Sequence, residues 1–243
     1  MANIRLTIEY EGSRFHGWQT QPGLRTIEEE LKNVLCMVLR EEIPSVCASG
    51  RTDAGVHAKG QVVNFHAKED HDLNRLMYAV SGIFRGELSV VAADIVPDNF
   101  HATRSAKSKQ YSYTIFHRSC PPVLDRGRAW FVNRTLDIER MQKEAGRLIG
   151  VHDFTSFRGT RCNATTPVKE IYESELTWNP PYLVYRVVGN GFLKQMVRNI
   201  VGTLVDIGRN RGPSISEILR AKDRRIAGVT APPYGLCLDW VRY

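Results

Sequence analysis

The segment between Gly50 and His57, which reads Gly-Arg-Thr-Asp-Ala-Gly-Val-His, brings together an acid, a guanidinium and an imidazole. Its two glycines permit backbone conformations that other residues resist. An aspartate such as Asp53 must be ionised to act as a nucleophile or a base, and a nearby guanidinium favours the ionised form of a carboxyl. Arg51 is a neighbour in sequence, and Arg198, on the flank of a predicted helix, is a second candidate. The Gly50–His57 segment also fits a polar loop without a catalytic role, and Arg198 also fits a surface arginine.

A basic run leads into aromatic residues at Lys107–Tyr113, which reads Lys-Ser-Lys-Gln-Tyr-Ser-Tyr. Aromatic faces stack on unpaired bases while cations follow the phosphate backbone, which is how single-stranded RNA is commonly bound. In a strand, Tyr111 and Tyr113 point to the same face, because side chains alternate with a period of two. The pattern therefore fits a stacking platform and a buried core face equally well.

Composition narrows the class of protein. The chain has 243 residues with 42% apolar and 24% charged residues, which excludes collagen-like and disordered classes. Its net charge of +7 favours a polyanionic partner. No uncharged apolar stretch approaches the roughly 18 residues that a membrane span needs, and the N-terminus lacks the apolar core of a signal peptide, so we expect a cytoplasmic location.

Several familiar functional motifs are missing from the sequence. The five cysteines form no CxxC pair, which argues against a disulfide framework and a zinc site. Gly189-Asn190-Gly191 follows a predicted strand, but Lys194 stands where a dinucleotide fingerprint has its third glycine. GxxxxGK[ST], HExxH and GxSxG do not occur. We therefore expect no metal and no cofactor.

Hydrophobic periodicity predicts the same order of elements twice, β-α-β-β-α-β, which is the ferredoxin-like arrangement. In the first half, Thr26 and Glu29 have the spacing of a capping box. The predicted elements of this half are strands at 4–10, 46–49, 61–67 and 88–96 and helices at 27–38 and 73–80.

The second half repeats this order. Gly150 is predicted to end a helix, and Ser214 and Glu217 form a second capping-box spacing. The predicted elements are strands at 111–115, 168–178, 182–188 and 236–240 and helices at 138–148, 193–205 and after Ser214. We therefore predict an α+β protein with two ferredoxin-like halves, residues 1–105 carrying Asp53 and residues 106–243, whose sheets can lie side by side with a cleft.

Further blocks of sequence accompany the Asp53 segment and the aromatic strand. In order along the chain they are Tyr10-Glu11-Gly12, Phe15-His16-Gly17-Trp18-Gln19-Thr20-Gln21, Phe100-His101-Ala102-Thr103-Arg104, His152-Asp153-Phe154-Thr155-Ser156-Phe157-Arg158, Gly191-Phe192 with Met196-Val197-Arg198-Asn199-Ile200-Val201-Gly202, and Gly235-Leu236-Cys237-Leu238. Taken together, over nearly the whole chain, they resemble the TruA family of tRNA pseudouridine synthases.

This resemblance implies the pseudouridine synthase fold, in which two ferredoxin-like halves join into a central, mostly antiparallel sheet with an RNA-binding cleft. It implies an isomerase that converts uridine to pseudouridine at positions 38, 39 and 40, in the anticodon stem-loop of tRNA. It also implies a homodimer that needs no cofactor.

Carried over residue by residue, the resemblance makes Asp53 the catalytic nucleophile and Arg198 its ion-pair partner, with Arg51 organising the loop and contacting RNA. Tyr111 would stack on the target uracil and is a candidate for removing the proton from C5, and Leu238 and Leu236 would form the apolar wall behind the base. The remaining candidates for substrate binding are Arg14, Gln19, His57, Lys59, Arg104, Lys107, Lys109 and Arg158. For the charged members of this set, an ordinary solvated surface position is an equal alternative.

Two other classes of protein compete with this interpretation. A non-catalytic RNA-binding protein would share the basic charge and the aromatic strand, but it gives no reason for an acid in an RNA-facing loop. A metal-dependent nuclease or phosphotransferase would use scattered acids, although two-metal sites need clustered carboxylates. Those acids are Asp53, Asp94, Asp153 and Asp206.

Overall fold

Two units make up the chain in the computed structural model, which describes residues 1–68 and 71–243. The first unit comprises Met1–Lys107 and Cys237–Tyr243, and the second comprises Ser108–Leu236. The hydrophobic pattern predicts the closing strand as part of the second half, whereas the structure groups most of it with the first unit. The reason is a parallel pairing in which Cys237 lies opposite His57.

The first unit has the predicted β-α-β-β-α-β order. Its elements are β1 (Ala2–Tyr10), α1 (Ile27–Leu39), β2 (Cys47–Ala48), β3 (His57–Ala67), α2 (Leu73–Phe84), β4 (Leu88–Val96) and, from the end of the chain, β10 (Leu236–Arg242). β1 pairs antiparallel with both β4 and β3, and β3 also pairs with β2 (antiparallel) and β10 (parallel). This is the strand arrangement of a ferredoxin-like unit with an extra strand beside β3.

The core of the first unit follows from its periodicity. Ile4, Leu6 and Ile8 are fully buried at alternate positions of β1, as the period of a strand requires. α1 buries a stripe that includes Leu31 and Leu35, and fully burying one such side chain contributes about 1.5–3 kcal/mol. β3 therefore lies in a well-packed unit, which gives the loop that precedes it a rigid base.

The start of α1 differs from the sequence prediction, because the capping box does not form. Thr26 makes no side-chain cap, and within residues 1–68 and 71–243 its buried Oγ1 has no hydrogen-bond partner. The main chain of a preceding segment does the capping instead. Ile27 N donates to the carbonyl of Gly17 at 3.1 Å, and Glu28 N donates to the carbonyl of Trp18 at 3.0 Å. A tertiary contact has replaced the local one, and it ties α1 to residues 17–18.

The elements of the second unit are β5 (Ser108–His117), β6 (Trp130–Val132), α3 (Ile138–Gly146), β7 (Gly150–Asp153), β8 (Val168–Asn179), β9 (Tyr182–Gly189), α4 (Met196–Gly208) and α5 (Ile215–Ala221). The strands form an antiparallel sheet in the order β5-β9-β8-β7, with the short β6 parallel to β5. α3 packs against both β8 and α4. The described residues contain no helix that is long and apolar enough to cross a membrane.

Local signals in the second unit have mixed outcomes. The capping box of Ser214 and Glu217 at the start of α5 is confirmed. The prediction that Gly150 ends a helix is wrong, because α3 already ends at Gly146 and Gly150 opens β7 with a φ of 109°. A glycine with positive φ suits both a helix end and a strand start, so the residue type alone does not distinguish them. The sequence analysis predicts neither β6 nor β7.

Candidate active site

The loop that joins β2 to β3 carries Asp53, and its main chain is fixed on both sides of this residue. The Tyr10 hydroxyl and Thr52 Oγ1 share a buried hydrogen bond of 2.8 Å, and burial raises the pKa of Tyr10 well above its ordinary value, so this phenol stays protonated. Trp18 N donates to the carbonyl of Thr52 at 3.0 Å, and Val56 N donates to the carbonyl of Asp53 at 3.1 Å. The Asp53 side chain is half-buried.

Two glycines let the N-terminal segment approach this loop. Gly17 has a φ of 90°, and a Cβ placed on it would lie 3.0 Å from the carbonyl oxygen of Thr52 and 3.0 Å from Ala54 N. A Cβ on Gly12 would lie 2.0 Å from the carbonyl oxygen of Val56. The opening sequence block therefore supports the loop through backbone contacts that larger residues would prevent.

A buried glutamine closes the other side of the loop. Gln61 is fully buried in β3, donates from Nε2 to the carbonyl of Gly50 at 2.8 Å, and accepts from Ser49 Oγ at 2.6 Å. In the sequence, Gln61 continues the block that resembles the catalytic loop of the family and begins a predicted strand, but it was assigned no individual role. A polar side chain in a predicted buried strand is the signal that marks such an anchor. His57 Nδ1 accepts from Gly12 N at 3.1 Å, which places the ring proton on Nε2.

We predict that Gly12→Ala lowers the free energy of unfolding by about 1–3 kcal/mol, the usual cost of overpacking. The added methyl group would meet the main chain of Val56, which cannot rotate away as a flexible side chain could. Chemical denaturation measures the change. Gly82→Ala is the matched control, because a Cβ at Gly82 in α2 meets nothing within 4 Å, and alanine there should stabilise by about 0.5–1 kcal/mol. Equal stabilities of the two variants would contradict this packing.

In the second unit, Arg198 lies in the first turn of α4, and its position is set by a reciprocal pair of hydrogen bonds. Arg198 Nε donates to the carbonyl of Ala231 at 2.8 Å, and Ala231 N donates to the carbonyl of Arg198 at 3.1 Å. Because Nε is used for this main-chain contact, the Nη groups are the donors that a carboxylate would meet. Arg198 is half-buried, which agrees with its predicted position at the edge of the apolar face of the helix.

The structure gives the two tyrosines of this strand face different surroundings. Tyr113 is fully buried, and its hydroxyl donates to the carbonyl of Pro232 at 2.8 Å, so it is a core residue. Burial raises the pKa of Tyr113 well above its ordinary value, which keeps it protonated. Tyr111 is 8% exposed and packs perpendicular to Phe192, with ring centroids 5.2 Å apart. This packing fixes the plane of the Tyr111 ring.

Three predicted RNA-binding cations have partners within their own unit. Arg14 lies 3.7 Å from Glu87 and Lys59 lies 3.9 Å from Asp239, and both are largely exposed, so these ion pairs are weak. Arg158 donates to the main-chain carbonyls of Cys162 and Ala164, which holds its own loop. Arg158 therefore has a structural contact that the sequence pattern did not indicate.

The other candidates divide between the two units. Arg51, Gln19, Arg104 and Lys107 are exposed in the first unit. Leu238 is fully buried there, and Leu236, at 7% exposure, belongs to the second unit. Lys109 also belongs to the second unit. The first unit thus contains Asp53, Arg51, His57 and Leu238, and the second contains Tyr111, Arg198, Lys109, Arg158 and Leu236.

The acids of the competing nuclease interpretation have separate local contacts. Asp94 pairs with Arg5, Asp153 accepts from Thr155, and Asp206 accepts from the main chain at Val229. In the part of the chain that the structure describes, no three His, Cys, Asp or Glu side chains are grouped as metal ligands would be.

Comparisons with known proteins identify the family of this chain. A family model described as tRNA pseudouridine synthase matches residues 145–243. The tRNA pseudouridine synthase A of Legionella pneumophila (strain Lens) is 39% identical over 242 residues, which cover 99% of this chain and 92% of that protein. The protein of the same name from Escherichia fergusonii is 43% identical over 243 residues, covering 99% of this chain and 89% of that protein.

Among solved structures, one titled "Crystal Structure of a Cbf5-Nop10-Gar1 Complex" aligns with 96% of this chain and 57% of that chain at a TM-score of 0.37 and 10% identity, which is too low to carry an argument. The full-length sequence matches are sufficient by themselves. The chain belongs to the TruA family of tRNA pseudouridine synthases.

Proposed function

We propose that this enzyme converts uridine to pseudouridine at positions 38, 39 and 40 in the anticodon stem-loop of tRNA, with Asp53 as its catalytic carboxylate. Membership in the family gives the coarser activity, the isomerisation of uridine in tRNA. The observation that carries the assignment of Asp53 is the rigid loop around it, whose main chain is held through Thr52 and Val56. Precise placement of one carboxylate is what a reaction at a single carbon atom requires.

The chemistry needs an ionised carboxylate and no external reactant. The N1–C1′ bond breaks, the detached uracil turns, and a C5–C1′ bond forms, while C5 loses a proton and N1 gains one. No electrons or groups are exchanged with another molecule. The Asp53 carboxylate can attack C1′, add to the pyrimidine ring, or remove a sugar proton to give a glycal, and all three routes use the same negatively charged oxygen.

The detached uracil must be held while it turns, and we assign this task to Tyr111 with Leu238 and Leu236. Stacking of a base on an aromatic ring contributes about 1–3 kcal/mol. Phe192, which packs perpendicular to Tyr111, keeps the stacking ring in a fixed plane. The tyrosine is also the candidate for removing the C5 proton.

The role of Arg198 as the ion-pair partner of Asp53 is part of the same proposal and comes from the family resemblance. Its support in the second unit is the hydrogen bond from Nε to Ala231, which holds the guanidinium on the first turn of α4. A fixed guanidinium favours the ionised form of a carboxylate that it meets.

Recognition of the RNA rests on positive charge. Flipping the target base outward costs a few kcal/mol, and phosphate contacts offset that cost. Of the proposed contacts, Arg51, Arg104 and Lys107 are exposed, so their charges are accessible to phosphate groups. The homodimer and the cytoplasmic location belong to this proposal as well; the mass measured by light scattering in solution tests the dimer.

Lys109 gives the proposal a pH dependence. Burial and the nearby charge of Lys169 on β8 lower the pKa of Lys109 to about 8. Phosphate favours the charged ammonium, so above pH 8 binding must take up a proton. We therefore predict that tRNA affinity falls with rising pH above about 8, by at most about tenfold per pH unit, with no contribution from this group below pH 8. The stability of the fold changes with pH in the opposite direction, because burial of the charged Lys109 destabilises the folded state. This destabilisation is present in full below pH 8 and disappears as the pH rises toward 10.5.

Filter binding at constant salt between pH 7 and 9.5 measures this affinity. Lys109→Arg should flatten the dependence, because a guanidinium stays charged in this range. Lys143→Arg, on the exposed side of α3, is the matched control and should leave the slope unchanged. An affinity of the wild-type protein that does not change between pH 8 and 9.5 would contradict the phosphate contact of Lys109.

Mapping pseudouridine in an unmodified tRNA transcript tests the proposed positions. Transcripts in which cytidine replaces uridine at 38, 39 or 40, one position at a time, should each lose only the corresponding product. Pseudouridine formed at other positions, with none at 38–40, would refute the proposed positions while leaving the family activity intact.

A further inference from the structure

The segment Ala227–Ala231, here called the strap, lies against α4 in unusually close contact. Gly228 N donates to Thr203 Oγ1 at 2.9 Å. A Cβ placed on Gly202 would lie 1.7 Å from the carbonyl oxygen of Val229, so only glycine permits this approach. The strap ends at Ala231, whose main chain forms the reciprocal hydrogen bonds with Arg198.

A polar network inside the same unit holds the strap in place. The fully buried Asn199 accepts through Oδ1 from Thr230 Oγ1 at 2.6 Å and from Arg224 Nη2 at 3.1 Å. Its Nδ2 donates to the carbonyl of Phe157 at 2.8 Å. Arg224 also donates to Thr230 Oγ1 at 3.2 Å and, from Nη1, to the carbonyl of Ala227 at 3.2 Å. The network therefore fixes the residue that immediately precedes Ala231.

We propose that Thr230, held by Asn199 and Arg224, is a positioning residue for catalysis because it fixes the carbonyl that orients Arg198. This inference rests on the proposed role of Arg198. An arginine side chain has many rotamers, and one of its donors must be held if the others are to meet a carboxylate in one geometry. Displacement of a catalytic group by about 1 Å can cost on the order of 10²-fold in rate. Loss of the Thr230 hydroxyl should therefore slow the chemical step more than it weakens tRNA binding.

Thr230→Val removes the hydroxyl and keeps the shape of the side chain. We expect kcat to fall about tenfold, KM for tRNA to stay within about twofold, and the acid limb of the pH–rate profile to move to higher pH. Thr230→Ser restores the hydroxyl and should recover most of kcat. A Thr230→Val enzyme with wild-type kcat, or a serine variant as slow as the valine variant, would overturn the inference.

A double-mutant cycle with Arg198→Met separates this inference from the proposed function on which it rests. If Thr230 acts through Arg198, Thr230→Val should have no further effect in the Arg198→Met background. Wild-type turnover by Arg198→Met would refute the proposed role of Arg198, and the inference with it. A slow Arg198→Met enzyme in which the Thr230→Val effect multiplies would overturn the inference alone.

Ser174→Ala controls for general destabilisation. Ser174 is buried in β8 of the same unit and donates from Oγ to the carbonyl of Ala145 at 2.7 Å, so its loss also removes one buried hydroxyl. We expect this variant to lower the melting temperature while kcat stays at the wild-type value. A loss of kcat equal to that of Thr230→Val would show that any buried hydroxyl has this effect, and would overturn the inference.

Discussion

Asp53→Asn should lower the turnover of uridine in tRNA by at least about 10⁴-fold while tRNA affinity stays within about threefold. An amide has nearly the shape of a carboxylate, but it is neutral. It can neither act as the nucleophile nor serve as the base that removes a sugar proton. The hydrogen bonds that hold the loop are made by Thr52, Gln61 and main-chain groups, so the Asp53→Asn variant keeps them. Release of tritium from tRNA labelled at C5 of uridine measures turnover, and filter binding measures affinity.

Asp94→Asn is the matched control for this change. Asp94 lies in β4 of the same unit and forms an ion pair with Arg5, with hydrogen bonds of 3.0 and 2.5 Å. Both side chains are partly exposed, so the loss should cost at most about 1 kcal/mol of stability and leave turnover unchanged. Appreciable tritium release by Asp53→Asn would remove the carboxylate from the mechanism. A large loss in Asp94→Asn would revive the interpretation with several catalytic acids.

The elements that sequence predicts well are those long enough to show several periods. β1 alternates from Ile4 to Tyr10, and α1 shows a buried stripe across three turns, so the hydrophobic period predicts the correct type of element in both cases. β6 and β7 have three and four residues, too few to show a period of two. The pairing of β10 with β3 could not be predicted either. Alternation of apolar residues indicates a strand, but it does not indicate which distant strand that strand pairs with.

Local capping signals are reliable only where no tertiary contact competes with them. Ser214 and Glu217 lie on an exposed surface and form the expected box. Thr26 has the same spacing to Glu29, but the main-chain carbonyls of Gly17 and Trp18 take the first amides of α1. The same segment also supports the Asp53 loop, because Trp18 N donates to the carbonyl of Thr52. The position where the local rule fails is therefore one that positions the candidate site.

The roles of the site residues came mainly from the resemblance rather than from residue patterns. Composition predicted a basic surface, but it did not distinguish a phosphate contact from a structural hydrogen bond inside the protein. Arg158 illustrates this, because it donates to main-chain carbonyls of its own loop. Neither Thr230 nor Asn199 was given a role, because a single polar residue looks the same in sequence whether it is solvated or buried. Only the hydrogen bond between Asn199, on α4, and Thr230, on the strap, reveals the network.

Arg198→Met should lower kcat by about 10²- to 10³-fold, the usual cost of removing one preorganised electrostatic contact from a catalytic site. The methionine fills a similar volume without charge. A carboxylate that loses a guanidinium neighbour takes up a proton more readily, so the activity that depends on its ionised form should fall at a higher pH than in the wild type. We expect the acid limb of the pH–rate profile to move upward by one pH unit or more, and activity to recover as the pH rises.

Arg147→Met distinguishes this electrostatic effect from general loss of an arginine. Arg147, just after α3 in the same unit, pairs with the mostly buried Glu144 at 3.0 Å, so its removal also leaves a carboxylate without its guanidinium. That variant should lose stability and keep the wild-type pH–rate profile, because Glu144 takes no part in the reaction and instead accepts from the main chain of Ile215. If the Arg198→Met profile coincides with that of Arg147→Met, the guanidinium of Arg198 does not act on the catalytic carboxylate, and another residue must keep Asp53 ionised.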